Sequence, residues 1–198
     1  MKPVLSDADF LRASRELGVT PAHIKAVCQV EAPNGGFYAN SDIPTVLFER
    51  HVMFDQVEQK FNRMRAEQYA NRYPELCNKT PGGYGPSIDQ PIRMDMAAKL
   101  MDRECALMSA SWGKFQIMGY HWKSLGFYSL QSFINAMYAG EPAQLGAFVE
   151  FIREDPKLHQ ALKRNDWATF ARRYNGPNYK KNDYDTKLEK AFTKAGGV

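Results

Sequence analysis

Glu31 is the residue whose surroundings most invite chemistry. Ile24, Val27, Cys28 and Glu31 are spaced 0, 3, 4 and 7 apart, so a helix through them carries a carboxyl group on its apolar stripe. Burial disfavours the ionised form, and the carbonyl end of the helix disfavours it again. Both effects move the pKa up toward that of a general acid near neutral pH. The plainer alternative is a glutamate that leans into solvent where the helix frays. A second carboxyl group stands downstream: Glu49 follows the β-branched and aromatic run Pro44-Thr45-Val46-Leu47-Phe48, and Asp42 lies in the loop before it. A strand folding back past the helix end brings either one toward Glu31. Acid-catalysed cleavage of a glycosidic bond needs such a pair, one group protonating the leaving oxygen and the other attacking or activating water. Glu49 is the preferred partner, because Arg50 and His51 next to it can orient it or hold substrate; a surface ion pair of Glu49 with Arg50 is the alternative.

The elements that position these groups read mostly as helix. Ser6 and Asp9 open a first helix that carries Phe10, Ala13 and Leu17 and closes at Gly18. Thr20 caps the helix of Glu31, Pro21 occupies its first turn, and Pro33-Asn34-Gly35-Gly36 ends it. Residues 44–48 form the best strand, Val52 to Tyr69 returns to helix, and Lys79 to Pro86 is the strongest breaker cluster. Met94, Ala97, Ala98, Met101, Cys105 and Met108 predict one long central helix. Further helices are expected from near Ser111, Ser129, Glu141 and Asn165. The fold class is therefore mainly α, a two-lobed helical domain with a small β element after the second helix and a cleft between the lobes.

With 198 residues the chain is one domain's worth of sequence, and 44% apolar with 24% charged residues excludes a disordered or fibrous chain. The longest stretch without charge, Ser124 to Gly140, holds Ser, Gln, Asn and two glycines, so no membrane insertion is expected. The N-terminus has no apolar segment of the signal-peptide kind, which predicts synthesis in the cytoplasm. Cys28, Cys77 and Cys105 are far apart and read as core thiols; the four histidines form no tight ligand pair, so neither metal nor cofactor is expected. A net charge of +4 favours encounter with anionic polymers. It does not separate nucleic acid from cell wall.

Three segments decide between those polymers. Glu31-Ala32-Pro33-Asn34-Gly35-Gly36-Phe37 resembles the Glu-Ser-Gly-Gly-x-Phe segment that holds the catalytic acid of lysozyme-like enzymes. Ser111-Trp112-Gly113-Lys114-Phe115-Gln116-Ile117-Met118-Gly119 resembles their Gly-x-x-Gln-Ile-Met block, and Tyr174-Asn175-Gly176-Pro177 their Tyr-Asn-(Ala)-Gly-Pro block. Together with Leu47-Phe48-Glu49-Arg50-His51 and Gly82-Gly83-Tyr84-Gly85, the chain is similar, from about Ala22 to Phe192, to the N-acetylmuramidase domain family of phage endolysins of Gram-negative hosts. It departs from the superfamily at Ala32, where many relatives have Ser.

The resemblance implies a single catalytic domain over residues 1–198 with no separate wall-binding module. It implies hydrolysis of the β-1,4 bond between N-acetylmuramic acid and N-acetylglucosamine, with Glu31 as acid, Glu49 as partner and no cofactor. Gln116, Tyr174, Asn175, Tyr84, His51 and Trp112 are the substrate-binding candidates. Gln116 is expected one helical turn after Trp112, an amide and an indole sharing a face suited to a sugar, although Trp112 equally suits the core. Tyr174 would place its hydroxyl at the cleft edge, and Tyr84 is a loop contact or a structural turn. The partner is peptidoglycan glycan rather than nucleic acid, and the protein is expected to act as a monomer, held in the host cytoplasm until a separate membrane-permeabilising protein releases it to the periplasm. A lytic transglycosylase forming 1,6-anhydro products, and a non-catalytic wall-binding protein on the same fold, are the alternatives.

Overall fold

The computed structural model describes residues 2–31, 35–177 and 179–198. Helices α1 (Asp7–Leu17) and α2 (Pro21–Glu31) lead to strand β1 (Val46–Phe48); α3 (Arg50–Lys60), α4 (Arg63–Arg72), α5 (Gln90–Leu100) and α6 (Arg103–Met108) follow. Strands β2 (Ala110–Trp112) and β3 (Ile117–Met118) precede α7 (Leu130–Ala139), α8 (Glu141–Glu154), α9 (Pro156–Lys163), α10 (Trp167–Asn175) and α11 (Tyr184–Lys194). The strands form one antiparallel sheet in the order β1-β2-β3, with Leu47 opposite Ser111 and Ser111 opposite Met118.

Of the caps read in the sequence, that of α1 holds its helix, whereas the Thr20 hydroxyl before α2 meets His23 Nδ1 at 2.9 Å instead of a helix amide. The Asp9 carboxylate accepts from the Ser6 amide (3.0 Å) and hydroxyl (2.6 Å), and Gly18 closes α1 in the left-handed conformation, φ 63°. On α2, Ile24 and Val27 are fully buried, each contributing about 1.5–3 kcal/mol of apolar burial. The turn assigned to Pro33-Asn34 and the departure at Ala32 lie outside the described residues.

Two separate hydrophobic clusters define two lobes. The larger gathers Leu17, Ile24, Trp112, Phe133, Phe148 and Phe170 from α1, α2, β2, α7, α8 and α10; the smaller gathers Phe48, Met53, Phe54, Cys77, Ala97 and Cys105 around α3 to α6. Strand β1 joins them, since Val46 packs into the large cluster and Phe48, on the same face, into the small one. Leu47, on the opposite face, lines the space between the lobes.

Three expectations are corrected. The long helix predicted from Met94 to Met108 is two helices, because the Asp102 carboxylate caps α6 by accepting from the Cys105 amide at 2.8 Å and is itself held by Lys60 at 3.0 Å. The helix from Val52 to Tyr69 is likewise divided, with Asn62 capping α4 through the Arg65 amide at 2.9 Å. The helix expected from Ser111 is the β2–β3 hairpin. Its turn requires positive φ at Gly113 (68°) and Gln116 (50°), and strands of three and two residues are too short to show a period.

Candidate active site

Glu31 ends α2 at the wall of a cleft of about 520 Å³ between the lobes, whose lining includes Tyr38, Thr45, Leu47, Gln90, Lys114 and Gln116. Burial pushes the Glu31 carboxyl from 4.5 up to about 7. Against that works a hydrogen bond from Asn175 Nδ2 to Glu31 Oε1 at 2.9 Å, which favours the ionised form. Asn175 is the last residue of α10, so the helix end fixes the amide that orients the acid. Tyr174 lies beneath it: its ring stacks on Phe170 with centroids 5.6 Å apart, and its hydroxyl donates to the Phe115 carbonyl at 2.8 Å. Burial first, and the Glu31 charge second, hold the phenol well above its ordinary pKa. Tyr174 therefore supports the floor under Glu31, with its hydroxyl committed to the β2–β3 turn instead of being free at the cleft edge.

Gln116 takes its place from the hairpin. Its Oε1 accepts from the Ser111 hydroxyl at 2.7 Å and its Nε2 donates to the Gly113 carbonyl at 2.9 Å, so the side chain is locked while one N–H remains for a ligand. A non-glycine residue at positive φ is strained by about 1–3 kcal/mol, a conformation characteristic of sites that hold a side chain at a set angle. Trp112 points the other way. It is 1% exposed and its indole N–H donates to the Leu107 carbonyl at 3.1 Å, so the structure gives it the packing role that the sequence left open. Because the segment is a strand, Trp112 and Gln116 do not share a helical face.

The neighbourhood of Glu49 is built differently. Its amide donates to Ser109 at 2.9 Å, and its carboxylate Oε2 lies 3.2 Å from His51 Nδ1 without the alignment of a hydrogen bond. Tyr84 and Tyr120 flank it, each phenol raised by burial and then by the Glu49 charge. Glu49 thus stands between β1 and α3, two residues after the cleft residue Leu47 but not itself among the residues lining that cleft, with Tyr84 and His51 gathered around it. Asp42 is exposed and lines a different concavity, with Asn40, Ser41 and Glu141.

Sequence reasoning missed the pair that shapes the cleft wall. Glu141 is buried at the start of α8. Its Oε1 accepts from the Gly36 amide at 2.8 Å and from Lys114 Nζ at 3.2 Å, and its Oε2 from the Leu5 amide at 3.2 Å. One turn later, Gln144 accepts from the Lys114 amide at 2.7 Å and donates to the carbonyls of Met137 (2.9 Å) and Gly36 (3.3 Å). The two side chains clamp the loop after Glu31 to the β2–β3 turn. The clamp explains two glycines, because a Cβ at Gly36 would meet Gln144 at 2.2 Å and one at Gly113 at 2.5 Å. The signal was present: Glu141, Gln144, Leu145 and Phe148 repeat the 0, 3, 4, 7 spacing that singled out Glu31.

A half-buried carboxyl with a raised pKa at a cleft between a large helical lobe and a small one joined by a short sheet defines a lysozyme-type glycoside hydrolase. The model of the N-acetylmuramidase family matches residues 20–196, and the chain belongs to that family. Among solved structures, the crystal structure of the Burkholderia AP3 phage endolysin superposes with a TM-score of 0.90 at 40% identity, over 98% of this chain and 72% of that one. None of the curated proteins compared with the chain matches it. The mainly α fold and the peptidoglycan-degrading class expected from the sequence are borne out. Among the described residues no helix is long and apolar enough to cross a membrane.

Proposed function

We propose that the chain is an endolysin that hydrolyses the β-1,4 bond between N-acetylmuramic acid and N-acetylglucosamine, with Glu31 as general acid. The observation that carries this is a carboxyl held near pKa 7 by burial at the wall of the interlobe cleft. Protonated Glu31 donates to the glycosidic oxygen as the bond breaks, and Asn175 keeps Oε1 turned away from that path and stabilises the carboxylate left behind. Glu49 is the second carboxylate, acting on the developing oxocarbenium centre directly or through water. Its place beside Leu47 favours it over Asp42, which is exposed at another concavity. Gln116, with its free N–H at the cleft, and Tyr84, beside Glu49, are the substrate contacts; Tyr174 acts from beneath. The acid and both lobes lie within one chain, which supports a monomeric single catalytic domain. A separate membrane-permeabilising protein would give it access to the wall.

Mass spectrometry of digested sacculi tests the reading. Wild type should release products with reducing N-acetylmuramic acid ends, and Glu31→Gln should release none while still binding sacculi. Anhydro-muropeptides, one water lighter, would overturn the hydrolysis; equal clearing by Glu31→Gln would overturn the acid. A larger loss at Asp42→Asn than at Glu49→Gln would reverse the choice of partner.

A further inference from the structure

Ahead of α1, residues 3–5 form a strap with no helix or strand of their own, laid across the start of α8. The Pro3 carbonyl accepts from the Glu141 amide at 2.9 Å, and the Leu5 amide donates to Glu141 Oε2 at 3.2 Å. One residue is thus gripped by its backbone and by its side chain. We infer that this strap is a positioning element for the general acid: by holding Glu141 it sets the loop that follows Glu31 and the turn that carries Gln116, and unhooking it lowers turnover without unfolding the enzyme. The inference rests on the hydrolase reading above.

Helix α8 relies on the strap for its cap. Gly140 at the N-cap has no side chain to bond the first-turn amides, and the Pro3 carbonyl takes the first of them. Gly140 also leaves room for the strap, since a Cβ there would press on the Pro3 ring at 3.0 Å and on its carbonyl oxygen at 3.1 Å. Leu5 packs on the large cluster, Val4 beside it is exposed, and the Ser6–Asp9 cap box begins at the next residue and fixes the far end. The Glu141 carboxylate carries the constraint onward. Among the described residues its Oε2 accepts from Leu5 alone, while Oε1 holds the Gly36 amide and Lys114 Nζ. The terminal torsion of a glutamate has only a broad preference of its own, so the Leu5 amide fixes the plane on which those two contacts depend. Both lead to the cleft: Gly35 and Lys114 line it, and the Gly113 carbonyl holds the Gln116 amide. The strap is also light enough to lift. Concavities of about 630 and 470 Å³ flank it, each lined by Val4 and Glu141.

Leu5→Ala and Leu5→Pro both cut back the packed side chain, but only the proline lacks the amide that Glu141 accepts. On soluble glycan strands released from sacculi by an amidase, Leu5→Pro should lower kcat about tenfold at unchanged KM, short of the roughly 10²-fold cost of a 1 Å misplacement, and Leu5→Ala should stay within about twofold of wild type. Deleting residues 2–4 removes the Pro3 carbonyl, keeps the Leu5 amide and the cap box, and should lower kcat in the same direction; it decides the matter where Leu5→Pro does not fold. The Gly36 amide gives a readout that general destabilisation does not move. Its proton resonance should shift and its exchange with solvent quicken about tenfold in Leu5→Pro and in the deletion, with the amides of α10 unchanged. Equal kcat losses in Leu5→Ala and Leu5→Pro, a wild-type kcat in the deletion, a rise in KM alone, an unmoved Gly36 amide, or failure of both strap variants to fold would overturn the inference. A wild type that cleaves no strand would sink the hydrolase reading, while the Gly36 amide would still report whether the strap holds the loop.

Discussion

At the residue scale, Glu31 couples activity to stability through one proton. The folded protein holds that proton up to about pH 7, whereas the unfolded chain releases it near 4.5, so ionisation works against folding. The stability contributed by the protonated form is complete below pH 4.5 and lost as pH rises through 7, a difference of about 3 kcal/mol. Glu31→Gln carries no such proton and should gain stability relative to wild type between pH 4 and pH 8, measured as the denaturant midpoint at each pH, while losing turnover. Wild-type activity should fall on the alkaline side as the acid ionises. Asn175→Ala removes the hydrogen bond that favours the carboxylate, and its alkaline limb should move to higher pH; a limb moving down would contradict the assigned geometry. Glu31 was readable in the sequence because helical spacing alone places it on an apolar stripe. Tyr174 and Trp112 were readable as aromatic but not as to role, since what their polar atoms bond, Phe115 and Leu107, is set by tertiary contact.

At the element scale, the active site depends on α8 as much as on α2. Gln144→Ala would leave the Lys114 amide and the Met137 carbonyl without partners, while the Gly36 carbonyl keeps the Thr45 amide, and each buried unsatisfied group costs about 1–3 kcal/mol. Breaking the buried Lys114 pair by Glu141→Ala should destabilise by about 3–5 kcal/mol. Both variants should lower the chemical denaturation midpoint, and Gly36→Ala should do so by collision with the same Gln144. A wild-type midpoint in any of them would remove the clamp from the account. The first two helices, α1 with its Ser6–Asp9 box and Gly18 stop and α2 with its first-turn proline and apolar stripe, were placed by sequence alone. The hairpin was not, because five strand residues carry no usable period and its turn relies on Gln116 adopting a conformation that favours glycine. The break at Asp102 was hidden for the opposite reason: the apolar stripe continues across it in phase, and only a capping aspartate marks the division.

At the scale of the whole molecule, the division into two lobes followed from the alternation of helical stripes with one short strand, and the cleft from the division. A charge of +4 acting on an anionic wall should make lysis fall with ionic strength, while turnover of a short soluble glycan fragment, which carries few charges, changes less. Equal salt sensitivity on both substrates would locate the effect in the protein and not in the encounter. The thiols add a different consequence. Cys28 belongs to the large cluster, Cys77 and Cys105 to the small one; all three are free, and burial pushes each up to about 12. None is ionised enough at neutral pH to react while its lobe stays closed. Alkylation by iodoacetamide in native buffer is therefore a clock for opening, and peptide mapping of the labelled sites would report which half of the enzyme breathes first, with no engineered probe.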